Sequence, residues 1–254
     1  MKVLAITGGS GNIGTALRPL LRANYKLRLL DIRDLSEPQT AEEEFQRIDV
    51  ADLASVESAF DGVDAVLHLA GNPSTSANWS DLLRDNIEAT HSVFEAARRR
   101  NVSRVVFAST NHVMGFYNLE KAWPIDTNVP IRPDSLYGVS KACGEALARF
   151  YADAFGMSII CLRIGWFTPR SPSMPGLNPL WISGRDLAQI VTLSLESSLR
   201  FGIYNATSNN PQAHWDLRTA RDELGYAPMD DVSAIATETG SSAYVDPRAG
   251  VLAG

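Results

Sequence analysis

Short apolar runs alternate along the chain with longer segments in which apolar residues recur at helical spacing. The runs predict β-strands at about residues 3–7, 26–31, 45–49, 65–70, 104–109 and 158–164. The segments between them predict helices at about residues 12–23, 53–60, 80–100, 136–155, 185–198 and 215–224. Because strands and helices alternate and several strands are continuously apolar, we predict an α/β fold with a doubly wound parallel sheet.

A glycine-rich turn follows the first predicted strand and leads directly into an amphipathic helix. Its glycines are spaced three and three. Glycine permits a sharp turn, close approach of backbone amides to a pyrophosphate, and close packing of helix on strand, while the helix N-terminus offers a positive dipole. The turn therefore predicts a dinucleotide site on a Rossmann-type sheet. The residues that we expect to form this part of the site are Gly8, Gly11, Asn12, Ile13 and Gly14.

Other strand ends extend the predicted cofactor site. Asp31 ends the second strand, where a carboxylate accepts hydrogen bonds from the adenosine ribose and repels a 2′-phosphate. This position favours NAD over NADP, although the nearby Arg33 could soften the preference. Since the ends of parallel strands meet at one edge of a sheet, two further strand ends join the site. Their residues are Asp49, Val50, Leu69, Ala70 and Gly71.

A tyrosine and a lysine four residues apart provide candidate catalytic groups. Tyr137 and Lys141 lie on the same face of the helix predicted at about residues 136–155, and both are also expected to contact the cofactor. A nearby ammonium favours the phenolate, so Tyr137 could take a proton from a substrate hydroxyl while hydride leaves for the nicotinamide. Ser109 and Thr110 end the fifth strand, and either hydroxyl could bond the reacting oxygen.

The composition excludes several other functions. Basic residues number 23 against 29 acidic ones, and a net charge of −6 is unsuited to binding nucleic acid or an anionic membrane. The longest uncharged stretch, residues 65–80, is too short and too polar for a transmembrane helix. The two cysteines, Cys143 and Cys161, have no partners at metal-ligand spacing, so we expect no metal and no disulfide. With no secretory hydrophobic region at its start, the protein is expected to be cytoplasmic.

Together, the glycine turn, the acidic strand end and two further motifs resemble one known family. The motifs are Ser-Thr-Asn-His at 109–112 and Tyr-Gly-Val-Ser-Lys at 137–141. With these motifs the chain resembles the extended short-chain dehydrogenases, which are the NAD-dependent epimerase/dehydratase family. Within that family, residues 107–117, 132–145 and 162–169 most resemble the uronate dehydrogenases, and the resemblance extends over roughly residues 1–226.

The resemblance implies a reaction and roles for individual residues. It implies oxidation of the C1 hydroxyl of a hexuronic acid to an aldarolactone with NAD. In that reaction Thr110 would be the catalytic hydroxyl, Tyr137 the base and Lys141 its partner. The same resemblance implies that Ser74, Asn111 and His112 bind the substrate.

Two positions depart from the uronate dehydrogenase pattern. Trp166 stands where that group has a small serine facing the sugar. Residues 171–181 lack the arginine that pairs with the uronate carboxylate in the group, and Arg170 is the nearest basic residue. Trp166 and Arg170 therefore complete the candidate substrate-binding residues, and the dehydrogenase chemistry is better supported than the particular sugar.

The resemblance also suggests how the chain is organised into domains. We expect one domain over residues 1–254, with the NAD-binding core and catalytic helix in 1–165 and small substrate-binding and C-terminal segments in 166–254. The substrate is expected to be a small molecule, a sugar or sugar acid, and the long helices are expected to support a homo-oligomer.

Two other functions remain open at this point. One is a nucleotide-sugar epimerase or dehydratase, which the short C-terminal portion and the Asn111-His112 pair disfavour. The other is a regulator that binds NAD without turnover, which the presence of both Tyr137 and Lys141 disfavours.

Overall fold

The computed structural model describes residues 1–168 and 178–232 of the chain. Its centre is a sheet of seven strands in the order β3-β2-β1-β4-β5-β6-β9, and every neighbouring pair is parallel. Two short strands, β7 and β8, pair separately. The strands are β1 (Lys2–Thr7), β2 (Tyr25–Asp31), β3 (Glu43–Arg47), β4 (Ala65–His68), β5 (Arg104–Thr110), β6 (Ile159–Ile164), β7 (Trp166–Phe167), β8 (Trp181–Ile182) and β9 (Phe201–Ala206).

Helices connect the strands and cover both faces of the sheet, so the predicted Rossmann-type doubly wound fold is confirmed. Single helical turns, Asn111–Met114 and Asn178–Leu180, supplement them. The helices are α1 (Asn12–Leu21), α2 (Leu53–Ala59), α3 (Trp79–Leu82), α4 (Ala89–Arg99), α5 (Gly115–Leu119), α6 (Leu136–Phe155), α7 (Gly184–Glu196) and α8 (Arg218–Leu224).

Two apolar layers, one on each face of the sheet, form most of the core. One layer includes Leu17 of α1, Ile190 of α7 and Leu224 of α8 packed on the sheet. The opposite layer includes Val56 of α2, Phe94 of α4 and residues of α6. Because both faces are covered, the central strands are apolar on both sides, as the continuous hydrophobic runs predicted.

The helix predicted over residues 80–100 is interrupted. It consists of α3, a π-helical segment from Leu83 to Glu88, and α4. The π-helical segment contains Asn86, which is almost fully buried and hydrogen bonded to a neighbouring loop and helix. Wide π-helical turns often occur at functional sites, and apolar periodicity alone does not reveal them.

Two element boundaries and one missed strand also differ from the prediction. The third strand begins two residues earlier than predicted, at Glu43, which forms a buried ion pair with Arg18 of α1. The last helix begins at Arg218, because Trp215 is buried and pairs with Ile125 as an isolated β-bridge. The prediction missed β9, in which the small Gly202 weakens the strand pattern.

The order of the strands places the functional site. The chain runs outward from β1 to β2 and β3, then crosses to β4 on the other side of β1. The connections leaving β1 and β4 therefore diverge at the carboxyl ends of these strands and open a crevice, the usual ligand position in such sheets. Within the part of the chain that the structure describes, no helix is long and apolar enough to cross a membrane.

Candidate active site

A cavity of about 970 Å³ lies at the carboxyl edge of the sheet. It runs from the turn after β1, past the ends of β2 and β4, to the beginning of α6 and the end of β6. All residues predicted to bind the cofactor line it. They are Gly8, Gly11, Asn12, Ile13, Gly14, Asp31, Asp49, Val50, Leu69, Ala70, Gly71, Tyr137 and Lys141.

The glycine turn is shaped for a close approach of backbone to a ligand. Gly8 has a φ of +73°, and its N–H donates to Leu30 O over 2.8 Å, which joins the turn to the end of β2. A Cβ on Gly14 would lie 2.6 Å from Gly8 O, so a larger residue there would push the turn away from α1. Gly11 caps α1 without a side-chain hydrogen bond, which leaves the first amides of the helix to bind phosphate. This cradle fits a dinucleotide pyrophosphate.

The Asp31 carboxylate is fixed at the end of β2. One oxygen accepts from Ser10 N over 2.9 Å and the other from Arg33 N over 3.0 Å. A carboxylate has about four lone-pair sites, so two backbone donors leave capacity for ribose hydroxyls. The Arg33 guanidinium is exposed and lies 3.6 Å from the carboxylate, so a cation does stand beside the ribose position, as the sequence indicated.

Arg84 is a cavity residue that the sequence reasoning missed. It lies in the π-helical segment, lines the cavity and forms ion pairs with Asp49 and Asp85. Its pKa is raised, first by the hydrogen bond to Asp49. The pair lies in the cavity wall next to Val50. No motif marks Arg84, because only the fold brings it to the end of β3.

Tyr137 lies in the first turn of α6. The helix is capped by Ser135, whose hydroxyl accepts from Gly138 N over 3.1 Å. Burial raises the pKa of Tyr137 to about 12, and a hydrogen bond with Thr110 acts in the opposite direction. The sequence predicted that the Lys141 ammonium favours the phenolate. In the protein alone, burial and Thr110 account for the pKa of Tyr137 and Lys141 does not, and burial dominates because a phenolate in the cavity wall has little water around it.

Lys141 lies one helical turn further along α6 and is buried. Its Nζ donates to Ala108 O over 2.9 Å and lies 5.0 Å from the centre of the Phe107 ring. Burial lowers the pKa of Lys141 to about 8. The group is therefore still mainly protonated at neutral pH. The backbone carbonyl holds it in the wall of the cavity next to Gly71.

The two hydroxyls at the end of β5 have different partners. Ser109 Oγ donates to Glu145 Oε1 over 2.6 Å, and this carboxylate also forms a buried bidentate pair with Arg163. Thr110 Oγ1 instead donates to Asn111 Oδ1 over 3.4 Å and accepts from His112 N over 3.3 Å, and it lies close enough to the Tyr137 phenol to oppose the effect of burial on its pKa. The geometry thus distinguishes two positions that the residue pattern left equivalent, and Thr110 is the hydroxyl beside the phenol.

His112 faces the same end of the cavity. Its Nδ1 lies 2.9 Å from Asp134 Oδ1, and its ring packs edge-on against Tyr137 with 5.7 Å between the ring centres. Asp134 is buried and lines the cavity, and the sequence reasoning did not identify it. A Cβ on Gly115 would lie 1.9 Å from Asp134 Oδ2, so this carboxylate needs a glycine opposite it.

Asn86 is a second residue that the sequence reasoning missed. Its Oδ1 accepts from Asn72 N over 2.7 Å, and its Nδ2 donates to Ser140 Oγ over 2.8 Å. Ser140 Oγ donates in turn to Tyr137 O over 2.7 Å. This chain of bonds ties the loop after β4 to α6. The only local sign of Asn86 in the sequence was a polar residue on the buried side of the amphipathic pattern that predicts this helix.

The remaining predicted substrate residues are distributed unevenly. Asn111 and Trp166 line the cavity, and Trp166 also packs against the cluster around Val113 and Leu180. Ser74 is not among the lining residues, because it lies in an exposed turn with its hydroxyl 3.0 Å from that of Ser76. Its neighbours in sequence, a proline and a threonine, line the cavity instead. Arg170 lies outside the described residues.

The fold and the cavity together define a dinucleotide-binding α/β protein in which a tyrosine and a lysine line the same cavity as the glycine turn. A profile of the NAD dependent epimerase/dehydratase family matches residues 4–183. The chain belongs to this family, which confirms the resemblance predicted from its motifs, and its cofactor is NAD.

Individual relatives are similar over most of their length. Uronate dehydrogenase from Pseudomonas syringae pv. tomato is 38% identical over 229 residues, which are 89% of this chain and 82% of that protein. NAD-dependent glucose-6-phosphate dehydrogenase from Haloferax volcanii is 35% identical over 242 residues, covering 89% of this chain and 92% of that one. A mutant uronate dehydrogenase from Agrobacterium tumefaciens, solved in complex with NAD, superposes with a TM-score of 0.86 at 33% identity, over 96% of this chain and 92% of that one.

Proposed function

We propose that this protein is an NAD-dependent dehydrogenase that oxidises the C1 hydroxyl of a hexuronic acid to an aldarolactone. The observation that carries the proposal is the placement of Thr110, Tyr137 and Lys141 together in one cavity with the glycine cradle. The similarity to uronate dehydrogenases over most of the chain supports the sugar acid as substrate.

Each catalytic group has one task in this reaction. Bound NAD supplies the hydride acceptor and a positively charged ring. The Tyr137 oxygen accepts the proton of the C1 hydroxyl as C1 loses hydride, so that C1 becomes the lactone carbonyl. Thr110 bonds the same reacting oxygen and holds it in line with Tyr137.

Lys141 makes the phenol a better base. Its ammonium, held by Ala108 O, lies one helical turn from Tyr137, and we expect it to favour the phenolate together with the positive charge of bound NAD, against the burial that raises the pKa in the free protein. Since the pKa of Lys141 is about 8, the ammonium carries its charge at neutral pH. The same side chain is positioned to bond the nicotinamide ribose.

The test is steady-state NADH absorbance with purified protein, NAD and either galacturonate, glucuronate, galactose or glucose. We expect the uronates to react fastest. Tyr137→Phe should lower kcat by about 10²–10⁴-fold while the Kd for NAD changes little, because only the proton acceptor is removed. If none of the sugars yields NADH, the proposed dehydrogenase activity is refuted. If Tyr137→Phe retains the wild-type rate, the proposed role of Tyr137 as the base is refuted.

We also propose the organisation and setting of the protein. Residues 1–165 form the NAD-binding core with its catalytic helix, and residues 166–254 supply the substrate-binding and C-terminal segments of the same domain. The exposed apolar side chains of Leu136, Val139 and Phe150 on α6 support a homo-oligomer through the long helices. The free thiols of Cys143 and Cys161 suit a cytoplasmic location.

A further inference from the structure

Asn118, in α5, is held in one orientation by two donors from other segments. Trp123 Nε1 donates to Asn118 Oδ1 over 3.0 Å, and His214 Nδ1 lies 2.8 Å from the same oxygen. An indole N–H can only donate, so the amide atom that faces Trp123 must be the carbonyl oxygen. For the same reason His214 must carry its proton on Nδ1. The orientation of the amide is therefore determined by chemistry.

This pair of donors, which we call the Trp123–His214 clamp, is held together by stacking of the two rings. The two rings stack with 3.5 Å between their centres and an interplanar angle of 12°. His214 is buried, and burial lowers its pKa to about 4, so the ring is neutral at physiological pH. The backbone around it is also fixed, since Ile125 N donates to His214 O over 2.7 Å.

The clamp leaves the other end of the amide available. Asn118 is half-buried and lines the cavity beside His112, Gly115 and Asp134. With Oδ1 occupied, Nδ2 makes no hydrogen bond to any residue in the described ranges 1–168 and 178–232. An amide donor without a partner, on a residue that lines a cavity, is the kind of polar group that can orient a ligand.

The basic residues that line the cavity are distributed unevenly between its two ends. Among its described lining residues, the arginines and lysines are Arg33, Arg84 and Lys141. Arg33 and Arg84 pair with aspartates at the adenosine end, and Lys141 is bound to Ala108 O beneath the catalytic phenol. At the substrate end, the Asp134 carboxylate is paired with His112, and the described residues offer neutral donors in place of a guanidinium.

We propose that Asn118 Nδ2 donates to the carboxylate of the sugar acid and that the Trp123–His214 clamp presents it in that orientation. The inference rests on the proposed function. A carboxylate is usually bound by a bidentate arginine, and the proposal assigns part of that binding to the Asn118 amide. Asn118 is then a specificity residue, acting on the end of the sugar remote from the oxidised carbon.

Two substitutions of Asn118 distinguish a role in binding the substrate carboxylate from a purely structural role. Asn118→Asp keeps an oxygen that accepts from Trp123 and His214 but replaces the free donors with a negative charge. Asn118→Leu removes both the accepted bonds and the donors. If Nδ2 binds a carboxylate, Asn118→Asp should raise the KM for the uronate at least about tenfold above that of Asn118→Leu, because repulsion adds to the lost bond.

A structural role predicts the opposite order. A residue that only supports the clamp, or that meets a sugar hydroxyl, would tolerate aspartate better than leucine, since a carboxylate accepts from the clamp and from a hydroxyl. An Asn118→Asp KM equal to or below that of Asn118→Leu would therefore overturn the proposal. Trp123→Phe, which keeps the ring stack but removes one donor to Oδ1, should raise the KM by a smaller factor without changing kcat.

A charge control and a measurement of NAD binding exclude other causes of a raised KM. Asn128→Asp adds the same charge on an exposed loop residue and should leave the KM within about twofold of the wild type, since exposed charges are screened. The Kd for NAD, measured by protein fluorescence, should be unchanged in every variant, which reports a folded cofactor site. Absence of NADH formation by the wild-type protein would refute the proposed function and this inference together, whereas an active wild type with the reversed order refutes the inference alone.

Discussion

Ser109 and Thr110 are adjacent hydroxyls, and the environment of each side chain gives it a different role. Thr110→Val removes the hydroxyl that bonds Tyr137 and should lower kcat/KM by about 10²-fold or more, since it positions the reacting oxygen. Ser109→Ala removes a bond to Glu145, which keeps its pair with Arg163. This variant should lose about 1 kcal/mol of unfolding free energy and retain most activity. Steady-state kinetics and urea unfolding of both variants test the assignment, and the reverse pattern would exchange the two roles.

Lys141 is retained at a cost in stability. Its pKa is about 8 in the folded protein against an ordinary value of 10.5, because burial disfavours the charge. Below pH 8 the Lys141 amine is protonated in both the folded and the unfolded state, so the folded state is destabilised by the desolvation of its charge. As the pH rises from 8 to 10.5, the unfolded chain binds more protons than the folded one, so the penalty is progressively relieved.

Lys141→Met should therefore be inactive but more stable at pH 7. We expect a gain of about 1–3 kcal/mol, less than the full penalty because the bond to Ala108 O is also lost. The gain should shrink between pH 8 and pH 10.5. Urea unfolding at pH 7 and pH 10 measures both values. A variant less stable than the wild type at pH 7, or a difference independent of pH, would contradict the assigned cause.

At the scale of elements, the contact of α5 with the segment before α6 shapes the substrate end of the cavity. Gly115 begins α5 and lies directly against the Asp134 carboxylate. Gly115→Ala would force Asp134 away from His112, so we expect a loss of about 1–3 kcal/mol in unfolding free energy and a fall in kcat/KM.

Gly184 provides a matched control for this substitution. It begins α7, and a Cβ there would meet nothing within 4 Å. Gly184→Ala should therefore be neutral or stabilising by up to about 1 kcal/mol, since alanine favours the helix. Thermal unfolding and kinetics of the two variants, measured together, distinguish the close contact from a general effect of alanine. Equal behaviour of the two would show that Asp134 can shift freely.

At the scale of the whole molecule, α6 exposes an apolar face that is unusual for a free surface. Val139 is 40% exposed and Phe150 is 55% exposed on this helix, which also carries the catalytic pair. If the proposed oligomer forms here, Val139→Glu with Phe150→Glu should reduce the mass measured by light scattering to that of one chain. Leu20→Glu, at a residue 44% exposed on α1, is the control and should leave the mass unchanged. An unaltered mass in the double variant would place any interface elsewhere.

The sequence by itself determined the fold class, and it identified the glycine turn that we propose to bind the cofactor and the Tyr137–Lys141 pair that we propose to be catalytic. Each of these is encoded locally: strand and helix by apolar periodicity, the cradle by glycines beside a helix start, and Tyr137 with Lys141 by a spacing of one helical turn. Helix α6 has the predicted bounds, and the family resemblance and the cofactor followed from such local motifs.

Only the tertiary structure decided which side chains meet across the cavity. Asn118 and His214 are 96 residues apart, and Asn86 and Ser140 are 54 apart, so no local pattern relates them. The choice between the two hydroxyls likewise depends on Glu145, which the fold places beneath Ser109. Such contacts follow from how the strands are ordered and how the helices pack on them, and periodicity reports which face of an element is buried but not which partner covers it.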